Sequence, residues 1–200
     1  MNSMKKITPR IQMKSTIARF FTEPIAKILI FFRLNANSIT FLGTVICITS
    51  AYFVTEGKFI TAGLIFLGGS ILDLFDGAVA RLSGTASRFG AYFDSLMDRI
   101  GESVLLMGLL IYCTRNGDDF GAYLSFGTLA ISLLVSYSRA RAEGIKVEGD
   151  VGLLGRPERV IVLTLGLLTG LYSHALVVII ALGAFTIGQR FFHVWRATKD

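Results

Sequence analysis

Four aspartates, Asp73, Asp76, Asp94 and Asp98, interrupt segments that are otherwise strongly apolar. An Asp near the middle of a membrane helix costs about 2.5–3.5 kcal/mol on insertion scales, so a group of them in a hydrophobic chain points to function. Asp73 and Asp76 stand at i,i+3 and Asp94 and Asp98 at i,i+4, so each pair projects from one face of its helix. If the passage through Gly84 turns the chain back, the two faces meet and four carboxylates converge. Such a group needs a counter-charge, and Mg²⁺ or Mn²⁺ prefers oxygen ligands of this kind. Gly77, Ala80 and Gly90 leave the helix surfaces beside the carboxylates bare, and Arg81 offers a planar fork suited to phosphate oxygens. Carboxylates, divalent metal and a phosphate-binding Arg together point to phosphoryl-group chemistry, where catalysis is mostly positioning and charge stabilisation. The plainer alternative is a set of helix-end salt bridges with Arg81 and Arg99; four acids at this spacing weigh against it.

The elements that must position these residues are membrane helices. The chain has 200 residues, 52% of them apolar, with a mean hydropathy of +0.62, more than a soluble core needs. Cys47 and Cys113 fall in apolar stretches without metal-ligand spacing and predict no redox role, and His174 and His193 are isolated from the carboxylates. Met1 to Pro9 is basic, has no small-residue cleavage site and does not read as a signal peptide. From Ile11 to Arg33 apolar and basic residues alternate at helical spacing, which predicts an amphipathic helix in the headgroup plane, with a contact to a partner helix as the alternative. Asn37 or Ser38 is then expected to cap the first span.

Six spans follow, at about 38–54, 59–82, 89–112, 120–137 (continuing as a helix to Glu143), 156–172 and 175–192, with a Gly-rich linker from Gly144 to Gly155. The expected class is thus an all-α integral membrane protein, with residues 1–36 as a basic and interfacial segment and 37–200 as a six-helix domain. Both termini and most Lys and Arg residues fall on one side, whereas Lys58 and Arg115 fall on the other. The positive-inside rule makes the basic side cytoplasmic, and the aspartates lie near it, so a multi-pass cell-membrane protein with a cytoplasm-facing site is predicted. The net charge of +6 is accounted for at that surface, and no nucleic-acid partner is expected. Gly166 and Gly170 could support close helix packing.

Asp73, Asp76, Gly77, Ala80, Arg81, Gly90, Asp94 and Asp98 match without a gap the pattern D-x2-D-G-x2-A-R-x8-G-x3-D-x3-D, and on these positions the chain resembles the CDP-alcohol phosphotransferases. The resemblance implies that Asp73, Asp76 and Asp94, helped by Asp98, hold two Mg²⁺ or Mn²⁺ ions, and that Asp98 is the base that activates the acceptor alcohol. It further implies that Gly77, Ala80, Arg81 and Gly90, with Asn37, Thr40 and Asp73, meet the cytidine nucleotide and its phosphates. A homodimer is implied as well.

The acceptor must be met by other polar residues near the cytoplasmic ends. Ser136, Arg139, Arg159 and Arg190 come from three spans, and arginines gathered there need an anion between them, for which a phosphate is the natural candidate. Snorkelling and contact with lipid headgroups is the alternative. The segments around these four residues resemble those of actinobacterial members of the family, the phosphatidylinositol phosphate synthases, in which a Ser, a Lys and two Arg hold inositol phosphate. Arg139 replaces the Lys here, and Gly155 stands where an acidic residue is common. Ser95 and Arg99 differ from the Pro and Lys usual in phosphatidylglycerophosphate synthases, which disfavours glycerol phosphate. The expected reaction is transfer of the phosphatidyl group from CDP-diacylglycerol to inositol phosphate, with CMP released. Glycerol phosphate as acceptor and an ether-lipid donor remain alternatives. A cation transporter is the alternative outside enzymes, but no repeated half or interrupted midplane helix supports it.

Overall fold

The computed structural model describes residues 22–199, and every regular element among them is a helix. Residues 22–31 form the described part of α1; the rest of the expected interfacial helix lies outside the described residues. Six helices follow: α2 Ala36–Thr55, α3 Phe59–Leu82, α4 Arg88–Arg115, α5 Asp119–Gly144, α6 Arg156–Thr169 and α7 Tyr172–Ala197. Each matches a predicted span, but one cap differs. Asn35 caps α2, its side chain accepting the Ser38 amide at 2.8 Å, and Asn37 and Ser38 already lie in the first turn. Asn35, Asn37 and Ser38 could all have served as caps, and extended φ/ψ angles at Asn35 decide among them.

Four helices, α2, α3, α5 and α7, are long and apolar enough to cross a membrane. The chain is therefore an integral membrane protein. The other two fall short for identifiable reasons. Helix α4 has the length but carries Asp94, Asp98, Arg99 and Glu102 among its first fifteen residues. Helix α6 has 14 residues, a rise of about 21 Å against a hydrocarbon core of about 30 Å.

Helices α2, α3 and α4 pack most intimately, because small residues line their seams. A Cβ on Gly43 would stand 3.0 Å from the Gly69 carbonyl, one on Gly69 would stand 2.9 Å from the Gly43 carbonyl, and one on Gly108 would stand 2.8 Å from the Ala51 carbonyl. Backbones thus meet directly, as in small-residue membrane interfaces. Ser50 adds a hydrogen bond from its hydroxyl to the Ala62 carbonyl at 2.7 Å. Beneath these seams Phe66, Leu105, Leu109, Leu163, Leu167, Leu176 and Ile179 form the apolar core shared by α3, α4, α6 and α7. Of the two glycines near the end of α6, Gly166 packs on Ala175 and Tyr172 of α7, while Gly170 ends the helix with φ of 72°, a conformation that glycine adopts without strain. At the α4–α5 turn the Gly121 amide donates to Asp118 and holds that carboxylate below its ordinary range.

On α1, Ala26, Leu29 and Ile30 pack against Ile39, Ala78 and Val79, while Ile28, Phe31 and Phe32 are exposed. The linker from residue 145 to 155 is pinned by its backbone: the Leu154 amide donates to Thr186 at 3.0 Å and the Leu153 amide to Gln189 at 3.2 Å, both on α7.

Gly43→Val should push α2 from α3 and cost about 1–3 kcal/mol, seen as a lower thermal unfolding midpoint in detergent. Gly68→Ala, at a position with nothing within 4 Å of the added methyl, should leave the midpoint unchanged or raise it slightly.

Candidate active site

Helices α3 and α4 are joined by a short return through Gly84, whose φ of 69° turns the chain, and Ser87 caps α4 by accepting the Gly90 amide at 3.0 Å. The return sets the two acidic faces opposite each other. One ligand oxygen from each of Asp73, Asp76 and Asp94 lies within 4.8 Å of the others. Octahedral Mg²⁺ holds oxygens at 2.0–2.1 Å, so ligands on opposite sides of an ion stand about 4.2 Å apart. Small side-chain adjustments bring the three aspartates to that geometry, and an all-oxygen donor set suits a hard divalent cation. The residues fit a metal of the Mg²⁺ or Mn²⁺ kind. Asp76 is 7% exposed and accepts a short hydrogen bond from the Thr40 hydroxyl of α2, which fixes its carboxylate.

Asp98 faces the same cluster from one turn below Asp94, with a cation between it and Asp73. Arg156, the first residue of α6, places Nη1 2.5 Å from Asp73 Oδ2 and Nη2 2.6 Å from Asp98 Oδ1. The contact with Asp98 is an ion pair without the alignment of a hydrogen bond, and Arg156 Nε, buried, has no partner among the described residues. Arg99 lies farther off, 3.9 Å from Asp98 Oδ2.

Asn37, Thr40, Asp76, Gly77, Ala80, Arg81, Gly90 and Asp94 line one cavity of about 200 Å³ between α2, α3 and α4. Gly90 sits beside Asn37, and a Cβ there would be 3.5 Å from Asn37 Oδ1, so the missing side chain keeps that wall open. Of the nucleotide residues expected from sequence, Asp73 alone lies outside this lining. It borders a smaller cavity of about 10 Å³, room for one water, together with Asp98, Glu102 and Arg156.

The four acceptor residues are brought to one end of the bundle but not into one open pocket. Arg190 of α7 donates to the Val151 carbonyl at 2.7 Å, to the Val135 carbonyl and to Ser138 Oγ at 3.3 Å, and so lies beside the turn of α5 that holds Ser136. Arg139 pairs with Glu143 at 2.9 Å and Asp150 at 3.1 Å. Arg159, 2% exposed, makes a two-pronged pair with Glu102, Nε to Oε1 at 2.7 Å and Nη2 to Oε2 at 2.8 Å, which leaves Nη1 outside the pair. Arg139 and Arg159 are both close enough to act electrostatically on Arg190.

Two site residues were missed by sequence reasoning. Glu102 continues the i,i+4 run of Asp94 and Asp98 on an apolar helix, a signal present in the sequence. Arg156 gave no comparable signal, because its partners are 83 and 58 positions away.

A bundle of membrane helices that turns paired aspartates on adjacent helices into an oxygen-lined cage defines a phosphoryl-transfer site at the lipid boundary. The profile of the CDP-alcohol phosphatidyltransferase family matches residues 33–195, and the chain belongs to that family. It is an enzyme of the CDP-alcohol phosphotransferase type. Among curated relatives, an archaetidylinositol phosphate synthase of Methanothermobacter thermautotrophicus is 33% identical over 92% of this chain and 93% of its own. Among solved structures, Mycobacterium tuberculosis phosphatidylinositol phosphate synthase with CDP-DAG bound superposes with a TM-score of 0.81 at 30% identity, covering 87% of this chain and 93% of that one. The same enzyme in complex with manganese and citrate gives 0.80 at 29% identity, covering 87% and 88%.

Glu102→Gln should strand the Arg159 charge in the bundle and lower stability by about 3–5 kcal/mol, measured by thermal or denaturant unfolding in detergent. The double variant Glu102→Met/Arg159→Leu, which removes both charges, should recover most of that loss.

Proposed function

We propose that this enzyme transfers the phosphatidyl group of CDP-diacylglycerol to inositol phosphate, yielding phosphatidylinositol phosphate and CMP. The observation that carries the reading is the eight-position aspartate motif folded into one convergent site, with the 200 Å³ cavity of small and polar residues directly beside the carboxylates. The relatives whose names specify inositol phosphate products support the choice of acceptor. The solved relatives with CDP-DAG and with manganese support the donor and the metal.

In this reading Asp73, Asp76 and Asp94, assisted by Asp98, hold two Mg²⁺ or Mn²⁺ ions. Bound there, such ions would neutralise the donor diphosphate and polarise the phosphorus under attack. Asn37, Thr40, Gly77, Ala80, Arg81 and Gly90 receive the nucleotide, with Arg81 as the fixed positive fork. Asp98 accepts the proton of the acceptor hydroxyl. The alkoxide oxygen bonds to the phosphorus that carries diacylglycerol, and the bond from that phosphorus to the bridging oxygen of CMP breaks. Ser136, Arg139, Arg159 and Arg190 hold the acceptor's own phosphate. Helices α2 to α7 cross or line the membrane, α1 lies at its surface with Ile28, Phe31 and Phe32 toward lipid, and the site and both termini face the cytoplasm. The working unit is a homodimer.

A second reading, the same chemistry on an ether-linked CDP-archaeol donor, is favoured by the archaeal relative at 33% identity.

CMP release by the purified protein with Mg²⁺ is expected with CDP-diacylglycerol and inositol phosphate. Release with glycerol 3-phosphate and not with inositol phosphate would overturn the acceptor, and a preference for CDP-archaeol would select the second reading. Asp98→Asn should slow turnover by about 10²–10⁴-fold, the usual span for losing a general base, while CDP-diacylglycerol still binds.

A further inference from the structure

The carboxylate cage contains a cation of its own. Arg156 bridges Asp73 of α3 and Asp98 of α4 through two nitrogens of one guanidinium, at 2.5 and 2.6 Å. The oxygens it engages, Asp73 Oδ2 and Asp98 Oδ1, belong to the carboxylates expected to bind metal. A divalent ion held at 2.0–2.1 Å beside Asp73 and Asp98 competes with the guanidinium for the charge of the same two carboxylates. Like charge opposes co-occupancy, since guanidinium and metal would stand against the same carboxylates in a weakly screened site.

Two further features show how loosely the guanidinium is committed. Its Nε is buried without an acceptor, and its contact with Asp98 lacks hydrogen-bond alignment. Arg156 is also the first residue of α6, where the Gly155 amide donates to the Glu158 carboxylate at 2.9 Å and sets the helix start. The helix start is fixed, and the long side chain is 26% exposed.

We propose that Arg156 is a built-in counter-ion that holds the metal-free cage together across α3, α4 and α6 and is displaced when divalent ions enter. One guanidinium does not balance a cluster of four aspartates, which keeps the cage attractive to a divalent ion. The exchange keeps the acidic helices from springing apart before loading. It also sets a threshold, because part of the metal's binding energy goes into ejecting the arginine. The inference rests on the cage being the metal site of the proposed function.

The test uses the full chain in detergent, stripped with EDTA and titrated with Mn²⁺, with free Mn²⁺ followed by its paramagnetic resonance signal. Arg156→Gln should bind Mn²⁺ about tenfold more tightly, equivalent to about 1.4 kcal/mol, and should unfold at a lower temperature than wild type in EDTA, with the gap narrowing in Mn²⁺. Arg156→Lys, which keeps the charge but cannot bridge both carboxylates, should fall between them. Independently of any variant, phenylglyoxal should modify Arg156 of the wild-type protein faster in Mn²⁺ than in EDTA, read by peptide mass. Equal or weaker Mn²⁺ binding by Arg156→Gln, or a labelling rate that ignores Mn²⁺, overturns the exchange and leaves the metal cage standing. A wild-type chain that takes up no Mn²⁺ overturns the cage and the exchange together.

Discussion

Carboxylates of like charge, held within a few ångströms of one another in a bundle of apolar helices, are the constraint on which this structure turns. At an effective dielectric constant near 20, two unit charges 4 Å apart interact by about 4 kcal/mol, so the cluster exists only if neighbouring groups answer it. The answers come from every adjoining element. Thr40 of α2 donates to Asp76, Arg156 of α6 spans Asp73 and Asp98, and Arg99 stands at the edge. The close seams at Gly43, Gly69 and Gly108 let these donors arrive, because helices kept apart by larger side chains would leave Thr40 short of its partner.

The same constraint accounts for the odd dimensions of α4 and α6. Helix α4 gives up the uniform apolarity of a simple span because its first fifteen residues carry Asp94, Asp98 and Glu102, each one turn from the next. Helix α6 begins where its arginines are needed. From Arg156, beside Asp73, it runs to Gly170, which shares a groove with Lys58 and Phe59 at the start of α3. The rise from Phe59 to Asp73 and the length of α6 are both about 21 Å. One further turn along α6, Arg159 answers Glu102 with both partners buried, an arrangement more useful for fixing geometry than for net stability.

Much of this was legible in the sequence, because helices advertise themselves through periodicity and the aspartate motif through spacing. Asp73, Asp76, Gly77, Ala80, Arg81, Gly90, Asp94 and Asp98 all come from one hairpin, so their meeting requires only that the return through Gly84 be short. The cap at Asn35 was misplaced by two or three residues, since Asn35, Asn37 and Ser38 are chemically equivalent as caps and only the backbone path separates them. Arg156 and Glu102 were missed for a deeper reason. Their roles depend on how α6 docks against α3 and α4, and local pattern does not encode the docking of distant helices. The acceptor arginines lie between these cases: their common end of the bundle was readable, but not the pairing of Arg139 with Glu143 and Asp150 or of Arg159 with Glu102.

Helix α6 starts beside Asp73 and Asp98, which stand two to three turns in from the neighbouring ends of α3 and α4, and the pinned segment 145–155 leads into it. A water-soluble anion would, on the proposed chemistry, arrive from this end of the bundle, whereas a molecule with two acyl tails would slide in from the side, between helices. On the proposed chemistry the reactants would therefore travel at right angles and neither would obstruct the other. Such a layout favours a ternary complex assembled in either order over a ping-pong cycle.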